Sequence, residues 1–305
     1  MSTETVTDKA TITLQIVARI NKCTLAGKTK NFRVYLSFLL CFDKIGQRHF
    51  EKGVGKDMLN EKNDLAIDCC LLAGRLMIES GAETYRVEDT MTRMAISQGL
   101  IGTQSFVTPT GIMFSLGKDG STRLMTIRER ITDLEKIALV NQVSRRLTDA
   151  DMTIEEAYEE LQRVASANLM FPFLWQFIAA LVASGCFLIL FEGTWWDVPA
   201  AAVAGGCGFL VVTLIHELTR VKFFAEFIAA AIVGVVAFLA VLLNLGEALN
   251  IIIISGVMPL VPGLLITNAV RDLMAGHFVS GVSKGAEALL TAFAIGAGVA
   301  LVLSF

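Results

Sequence analysis

The chain has 305 residues, of which 54% are hydrophobic and 18% are charged, whereas soluble proteins carry about 25% charged residues. The net charge is -3 and no basic block occurs, which argues against nucleic acid as a partner because a nucleic-acid-binding surface is strongly positive. Only four of the 26 Lys and Arg residues follow Phe171. The composition therefore predicts a water-soluble first half and a second half that faces the lipid bilayer.

Residues 1–57 differ from the later parts of the chain because basic residues outnumber acidic ones there. The apolar run Val34–Phe42 is too short to span a membrane, and no small-residue cleavage site comes after it. We expect residues 1–57 to form a poorly ordered leader. Met58 is a candidate for the true start, since the helical pattern begins directly after it.

Residues 58–168 have the pattern of a small α+β domain, which we call the head. Apolar residues at helical spacing predict a first helix from about Asp64, and Gly81 is suited to the left-handed cap that ends it. Thr153 and Glu156 have the spacing of a capping box, which marks the start of the last helix. The remaining predicted elements are a helix over 83–98, strands over 104–108, 112–116 and 123–127, and helices over 133–147 and 154–165.

Residues 169–305 predict a membrane domain of about five helices. Each apolar run is close to the roughly 20 residues that cross about 30 Å of hydrocarbon. The runs are Phe171–Phe191, Pro199–Leu218, Phe223–Leu245, Leu249–Val270 and Gly285–Phe305. The fold class predicted is thus an α-helical membrane protein with an α+β head.

The charges between these runs predict the orientation. Arg220, Lys222, Arg271 and Lys284 fall at one end of the spans, which the positive-inside rule assigns to the cytoplasm. The head is then cytoplasmic, the C-terminus is outside, and the chain is a multi-pass protein of the inner (plasma) membrane. The six cysteines have no CxxC or metal-ligand spacing, which suits reduced thiols.

The fourth span contains an unusual segment, Ser255–Gly263, with two prolines and two glycines. Proline removes a backbone donor and breaks the helix, and in lipid the freed carbonyls must be satisfied by protein or by water in a cavity. Broken helices are typical of transporter binding sites, and a half-helix starting near Pro262 would attract a carboxylate. The alternative is a proline kink packed against its neighbours. The substrate-binding candidates are Gly256, Met258, Pro259, Pro262, Gly263 and Asn268.

Polar residues near the ends of the spans are candidates for gating or coupling. Ionisable groups inside lipid are costly and usually functional, although ordinary interfacial charge is the alternative for each. The candidates are His216, Glu217, Glu226, Arg271 and Asp272, and Asn268 and Glu226 are the strongest for a polar pathway or a proton step. Lys284 and Glu287 have the spacing of a plain helical ion pair.

Small residues recur within the spans and favour close contact between helices or between copies of the chain. Gly205, Gly206 and Gly208 lie in the second span, and Gly296 lies in the fifth. This pattern allows a homo-oligomer, but it also suits packing within one chain.

Enzyme chemistry finds little support in the sequence. No histidine occurs between Met58 and Met170, and neither G-x-S-x-G nor H-E-x-x-H occurs anywhere. We predict no catalytic residue, no metal and no cofactor. A Walker loop is also absent, so transport would be coupled to protons or to the membrane potential.

Two separated motifs resemble the threonine/serine exporter (ThrE) family. The first runs from Leu72 to Thr84 and continues through Glu88, and the second runs from Gly256 through Asn268, Arg271 and Asp272 to Gly276. The resemblance carries over five head-motif residues, namely Gly74, Glu79, Gly81, Arg86 and Glu88. Gating or partner docking is their expected role, and helix packing and capping is the alternative. An acidic residue is usual in the family where His277 stands.

The resemblance implies the stand-alone larger half of the exporter, the YjjP type, which works with a separate small membrane subunit. Such pairs are associated with succinate export, and fused members with threonine and serine export. The function predicted is a subunit of a secondary exporter of small carboxylates. The alternative is a membrane-anchored sensor or regulator whose head binds a small cytosolic ligand.

Overall fold

The computed structural model describes residues 63–116, 122–219 and 221–304. The predicted leader, Met58 and the glycine turn over 117–120 lie outside the described residues, so those expectations stay predictions. Residues 63–305 form one compact unit.

The first helix of the head, α1, is helical over residues 63–79 and ends in the predicted left-handed cap. Gly81 has φ +87°, a conformation that costs an L side chain about 1–2 kcal/mol. The N–H of Gly81 donates to Ile78 O at 3.1 Å and that of Ala82 donates to Met77 O at 2.9 Å. These are the two bonds of a Schellman motif, and they fix the direction in which the chain leaves α1.

The rest of the head has the predicted order of elements. Helix α2 spans Thr84–Ser97 and strands β1 (Thr103–Thr108), β2 (Gly111–Leu116) and β3 (Thr122–Thr126) form an antiparallel meander in the order β1-β2-β3. Helices α3 (Leu134–Thr148) and α4 (Ile154–Ser166) complete it, and the capping box of Thr153 and Glu156 is present. The core contains the fully buried side chains of Met77, Met91, Phe114 and Leu161.

Four helices among the described residues are long and apolar enough to cross a membrane, or five if a bent pair is one span. They are α5 (Phe173–Leu190), α6 (Val198–Thr219, extended by a 3-10 turn from Trp195), α7 (Lys222–Leu242) and α10 (Phe278–Leu303). The bent pair consists of α8 (Leu249–Val257, extended by a 3-10 turn to Leu260) and α9 (Gly263–Met274), with a bend of 63° at Val261 and Pro262.

The last helix departs from the sequence expectation. It was predicted to begin near Gly285, but α10 begins at Phe278, so Lys284 lies inside the helix and not in the connection before it. The connection is only 275–277. The apolar pattern missed these two turns because they contain Ser280, Gly281 and Lys284.

Small residues allow close contacts between these helices, as the sequence predicted. A Cβ on Gly205 would overlap the Ser184 side chain, and one on Gly298 would overlap the backbone oxygen of Phe227. Gly256 is also a packing position, because a Cβ there would lie 2.8 Å from Val233 Cγ1. Gly296 has open space around it, so a contact through Gly296 stays a prediction for assembly with another chain.

Candidate functional site: where the head meets the apolar helices

The N-terminus of α2 is joined to α9 by a buried carboxylate. Asp272, which is fully buried, accepts from the backbone N–H of Thr84 at Oδ1 and from the Thr84 hydroxyl at Oδ2, both at 2.9 Å. The first N–H groups of a helix have no intrahelical acceptor, so Asp272 caps α2 from 188 residues away. A carboxylate at a helix N-terminus is also favoured by the helix dipole.

Lys284 completes this cluster. Its ammonium group is buried and donates to Asp272 Oδ2 at 2.8 Å, to Ala82 O at 3.1 Å and to the Thr84 hydroxyl at 3.4 Å. The prediction that Lys284 pairs with Glu287 is therefore wrong. The observed pairing is a result of the fold, because α9 and α10 pack together and bring Asp272 to the face of α10 that meets the head.

Two further contacts join the same pair of motifs. The Asn268 amide donates to Gly81 O at 2.8 Å, and Arg271 donates to Glu83 Oε1 at 2.6 Å. Burial by itself would raise the pKa of the Glu83 carboxyl, but hydrogen bonds from its own backbone N–H and from Arg271, together with the charges of Arg86 and Arg271, hold that pKa below its usual value. Glu83 is thus ionised at neutral pH and holds Arg271.

Two more contacts join the start of α10 to α2 and β1 of the head. His277 Nδ1 lies 3.8 Å from Glu88 Oε2, and Glu88 Oε1 accepts from the Val107 N–H at 2.9 Å. The buried Ser280 hydroxyl donates to Val107 O at 3.2 Å. His277 therefore faces the head carboxylate of Glu88.

A cavity of about 290 Å³ lies beside the bend between α8 and α9. Pro262, Gly263 and Asn268 line it, so three of the six predicted substrate-binding residues meet there. The first turn of α9 contributes Leu264 and Leu265 as well. Since the first N–H groups of a helix lack intrahelical acceptors, this part of the wall is suited to an anion.

Four charged side chains from three different segments line the same cavity. They are Arg130 from the head, Lys222 at the start of α7, and Lys284 and Glu287 on α10. Glu287 accepts from Arg130 at 2.7 Å and from Lys222 at 3.0 Å. The cavity therefore has three cations around one lining carboxylate, and Arg130 makes the head part of its wall.

A family model described as "Putative threonine/serine exporter" matches residues 68–305, which is most of the chain. The chain belongs to this exporter family. It is 24% identical over 265 residues to a "Probable threonine/serine exporter" of Mycobacterium tuberculosis, a match that covers 85% of the chain and 49% of that protein. The chain thus spans about half the length of this relative.

The chain is also similar to the "Probable succinate transporter subunit YjjP" of Escherichia coli. The two are 23% identical over 262 residues, which cover 81% of the chain and 97% of that protein. The "Pheromone-regulated membrane protein 10" of Debaryomyces hansenii is 24% identical over 229 residues, covering 72% of the chain and 22% of that protein. No solved structure matches the chain. The exporter and succinate transporter relatives are named as transport proteins and not as enzymes, so the chain is a membrane protein of a transport family.

Several other predicted site residues do not line the cavity. Met258 and Pro259 are not among its lining residues, and Gly256 packs between helices. His216 and Glu217 are exposed at the end of α6. Glu226 is buried in α7 and does not line the cavity.

Some of the head-motif residues contact only other residues of the head, and others contact the apolar helices. Gly74 is in tight contact with Met91, and Glu79 pairs with Arg75 on the same helix at 2.7 Å. Gly81 O accepts from the Asn268 amide, and Glu88 faces His277. Arg86 is exposed and lies 3.4 Å from Glu83.

Sequence reasoning missed several residues of this site, namely Glu83, Thr84, Arg130, Lys222, Lys284 and Glu287. Glu83 and Thr84 lay within the quoted head motif, but nothing in a single sequence pairs them with α9. An available signal was Lys284, since a lysine so close to an apolar run needs an acidic partner.

Proposed function

We propose that the chain is the larger subunit of a secondary exporter of small carboxylates, and that the cavity beside the bend is its substrate site. The observation that carries the proposal is the position of Arg130, Lys222 and Lys284 around this cavity in a chain of the exporter family. Succinate, threonine and serine all carry a carboxylate. A volume of about 290 Å³ is enough for one such molecule with a few waters.

In this proposal Glu287 competes with the substrate carboxylate for the cations of the cavity. Its carboxylate accepts hydrogen bonds from Arg130 and Lys222. An incoming carboxylate competes for these two cations and for the first-turn N–H groups of α9. Because Arg130 comes from the head and Lys222 from α7, substrate binding acts on the contact between the two parts of the molecule.

The bent pair fits a single broken span. In this proposal α8 and α9 cross the membrane together, and the bend at Val261 and Pro262 faces the cavity. Broken helices with water-lined ends are typical of secondary transporters. The head then lies in the cytoplasm and the C-terminus outside, in agreement with the charge distribution between the spans.

A separate small membrane subunit completes the exporter in this proposal. The support is that the E. coli relative is named as a subunit of a succinate transporter. The order of candidate substrates has the same basis, with a succinate-type dicarboxylate first and threonine or serine second.

Efflux from loaded cells tests the proposal. Cells that lack the gene are loaded with labelled succinate or with a threonine dipeptide, and the chain is restored with and without a candidate small subunit. We expect efflux of one compound that needs both subunits. Lys222→Ala, Pro262→Ala and Asn268→Ala should reduce it, and Lys222→Ala should raise KM roughly tenfold or more because a charge-assisted hydrogen bond is lost.

Arg145→Ala is the matched control, because Arg145 is exposed in the last turn of α3 and has no ion pair among the described residues. Wild-type cells that export neither compound despite normal membrane insertion would contradict the proposal. That result would favour the sensor alternative, for which the head offers a cavity of about 550 Å³ lined by Arg75, Arg128 and Lys136.

A further inference from the structure

Glu226 and Thr291 are buried polar residues on α7 and α10, two helices that pack against each other. Glu226 is 6% exposed, and its Oε2 atom is fully buried with no hydrogen-bond partner among the described residues. Thr291 is fully buried, and its hydroxyl has no partner in the described part of the chain either. Buried polar atoms are almost always hydrogen-bonded, so two orphaned atoms in one contact are informative.

The pair lies one helical turn from the charges of the cavity. Glu226 comes four residues after Lys222 on α7, and Thr291 comes four residues after Glu287 on α10. Residues four apart share a helix face. The interface therefore has two layers, an ion pair of Lys222 with Glu287 at the cavity and the orphaned pair beyond it.

The surroundings of Glu226 are poor in compensating charge. The titratable and charged groups on α7 and on the elements packed against it are Lys222 on α7, His216, Glu217 and Cys207 on α6, and Lys284 and Glu287 on α10, with none on α8. Lys222 and Lys284 are already held by Glu287 and Asp272, and His216 and Glu217 are exposed. An ionised carboxylate would therefore be buried without a partner, which is very costly.

We propose that Glu226 is a proton-binding residue that controls the affinity of the adjacent cavity for its carboxylate substrate. In this proposal Glu226 is the neutral acid when the cavity has its high affinity for substrate. Loss of its proton to water places one more negative charge a helical turn from Lys222. That charge draws Lys222 away from the cavity and repels an anionic substrate.

A proton fits this position better than a metal ion. Glu226 and Thr291 offer three side-chain oxygens, whereas hard cations such as Ca²⁺ and Mg²⁺ take six or more oxygen ligands. No group of three or more potential metal ligands occurs among the described residues. The inference rests on the proposed function for its link to substrate, but the protonation of Glu226 can be measured without transport.

The first measurement is the difference infrared spectrum of the full chain in lipid as the pH is changed. We expect a protonated-carboxyl C=O band that disappears at alkaline pH in the wild type and is absent in Glu226→Gln. Glu192→Gln is the matched control, since Glu192 is an exposed loop residue, and it should keep the band. A wild-type spectrum without a band that depends on Glu226 overturns the assignment.

The second measurement is the KM for labelled succinate or threonine at acid and at alkaline pH, in cells that also carry the small subunit. In the wild type KM should rise on the order of tenfold at alkaline pH, as expected for one added charge at this separation and an effective dielectric of about 20. Glu226→Gln mimics the protonated acid, so it should keep the low KM throughout, and Glu226→Asp should retain the pH dependence.

A Glu226→Gln protein that keeps the wild-type pH dependence, or has a high KM at every pH, overturns the inference. If this variant does not transport, succinate or threonine binding is read from thermal stabilisation of the purified protein with the same expected pattern. Absence of flux in the wild type at any pH contradicts the proposed function instead, and the infrared band then decides separately whether Glu226 holds a proton.

Discussion

An isolated charge on Lys284 inside an apolar helix would be energetically unfavourable. Its side chain is 6% exposed and that of Asp272 is fully buried, so neither ion is stabilised by water. Removing one member of a buried ion pair leaves the other charge uncompensated, which costs about 3–5 kcal/mol, whereas removing both costs much less. The stability of the head contact therefore depends on the pair and not on either residue alone.

Asp272→Ala should lower the thermal stability of the detergent-purified chain strongly, because the Lys284 ammonium stays buried without its carboxylate. The double variant Asp272→Ala with Lys284→Met should recover part of the loss. The readout is the temperature at which half of the monodisperse gel-filtration peak is lost.

Arg93→Ala is the control for a lost ion pair. Arg93 and Asp89 are an exposed pair on α2, 67% and 55% exposed, and such pairs contribute about 0–1 kcal/mol. A double variant that is less stable than Asp272→Ala would show that the two buried residues stabilise the protein independently, and would contradict the argument.

At the scale of single residues, the sequence predicted where charge would be informative but not what it would contact. Asn268, Arg271 and Asp272 were identified because they end an apolar run with polar groups. Their partners Gly81, Glu83 and Thr84 lie about 190 residues earlier, and no local spacing relates the two. Long-range pairs of this kind are determined by the fold, because each helix face is chosen by packing.

At the scale of elements, the bend between α8 and α9 determines which residues meet the cavity. Val257 lies in α8 and is 9% exposed, whereas Val261 lies at the bend, is 40% exposed and lines the cavity. The two positions are only four residues apart, so a difference in their labelling would report the local difference in access to water. If water fills the cavity, a thiol at the bend will be reactive and a thiol in the helix will not.

Single cysteines at these positions test the bend in a chain from which the native cysteines have been removed. We expect an impermeant thiol reagent to modify Val261→Cys and to leave Val257→Cys unmodified. Labelling is measured by mass shift in inside-out membrane vesicles. Added succinate should slow the labelling of Val261→Cys if this cavity is the substrate site.

The native thiols of the head supply an internal reference before they are removed. Burial raises the pKa of the Cys69 thiol to about 12, so this residue stays a thiol and reacts slowly. Equal labelling of Val257→Cys and Val261→Cys would mean that α8 and α9 do not present different faces to water. An unlabelled Val261→Cys would mean that the cavity is closed to it.

Most elements could be predicted because their signals are local. The capping box of Thr153 and Glu156 fixed the start of α4, and Gly81 marked the end of α1. The start of α10 could not be predicted from hydropathy, because Lys284 resembles the end of a loop until its partner Asp272 is known. Hydropathy reflects the free energy of transferring a single side chain from water to an apolar phase. It takes no account of a charge that is neutralised by a partner inside the protein.

At the scale of the whole molecule, the two motifs of the family meet in space. The first motif runs into α2 and the second contains α9, and their contact includes Thr84 with Asp272 and Glu83 with Arg271. The sequence showed the two motifs in the right order but not that they touch. Their contact makes the head a neighbour of the cavity, with Arg130 in its wall.

A charge reversal across this contact tests whether it is made in the working protein. Glu83 and Arg271 are 2.6 Å apart, with side chains 9% and 61% exposed. Arg271→Glu places a carboxylate beside Glu83, and like charges at this distance repel, so efflux and thermal stability should both fall. Adding Glu83→Arg restores opposite charges, so the double variant should recover part of the lost efflux and part of the lost thermal stability. In a double-mutant cycle the two substitutions should show a coupling of about 1–3 kcal/mol.

Arg93→Glu is the control, because Arg93 pairs only with exposed Asp89 among the described residues. This variant should change efflux and thermal stability little. Recovery of stability without recovery of efflux would assign the contact to folding alone. If the double variant is no better than the sum of the single ones, the head and α9 do not dock through this pair.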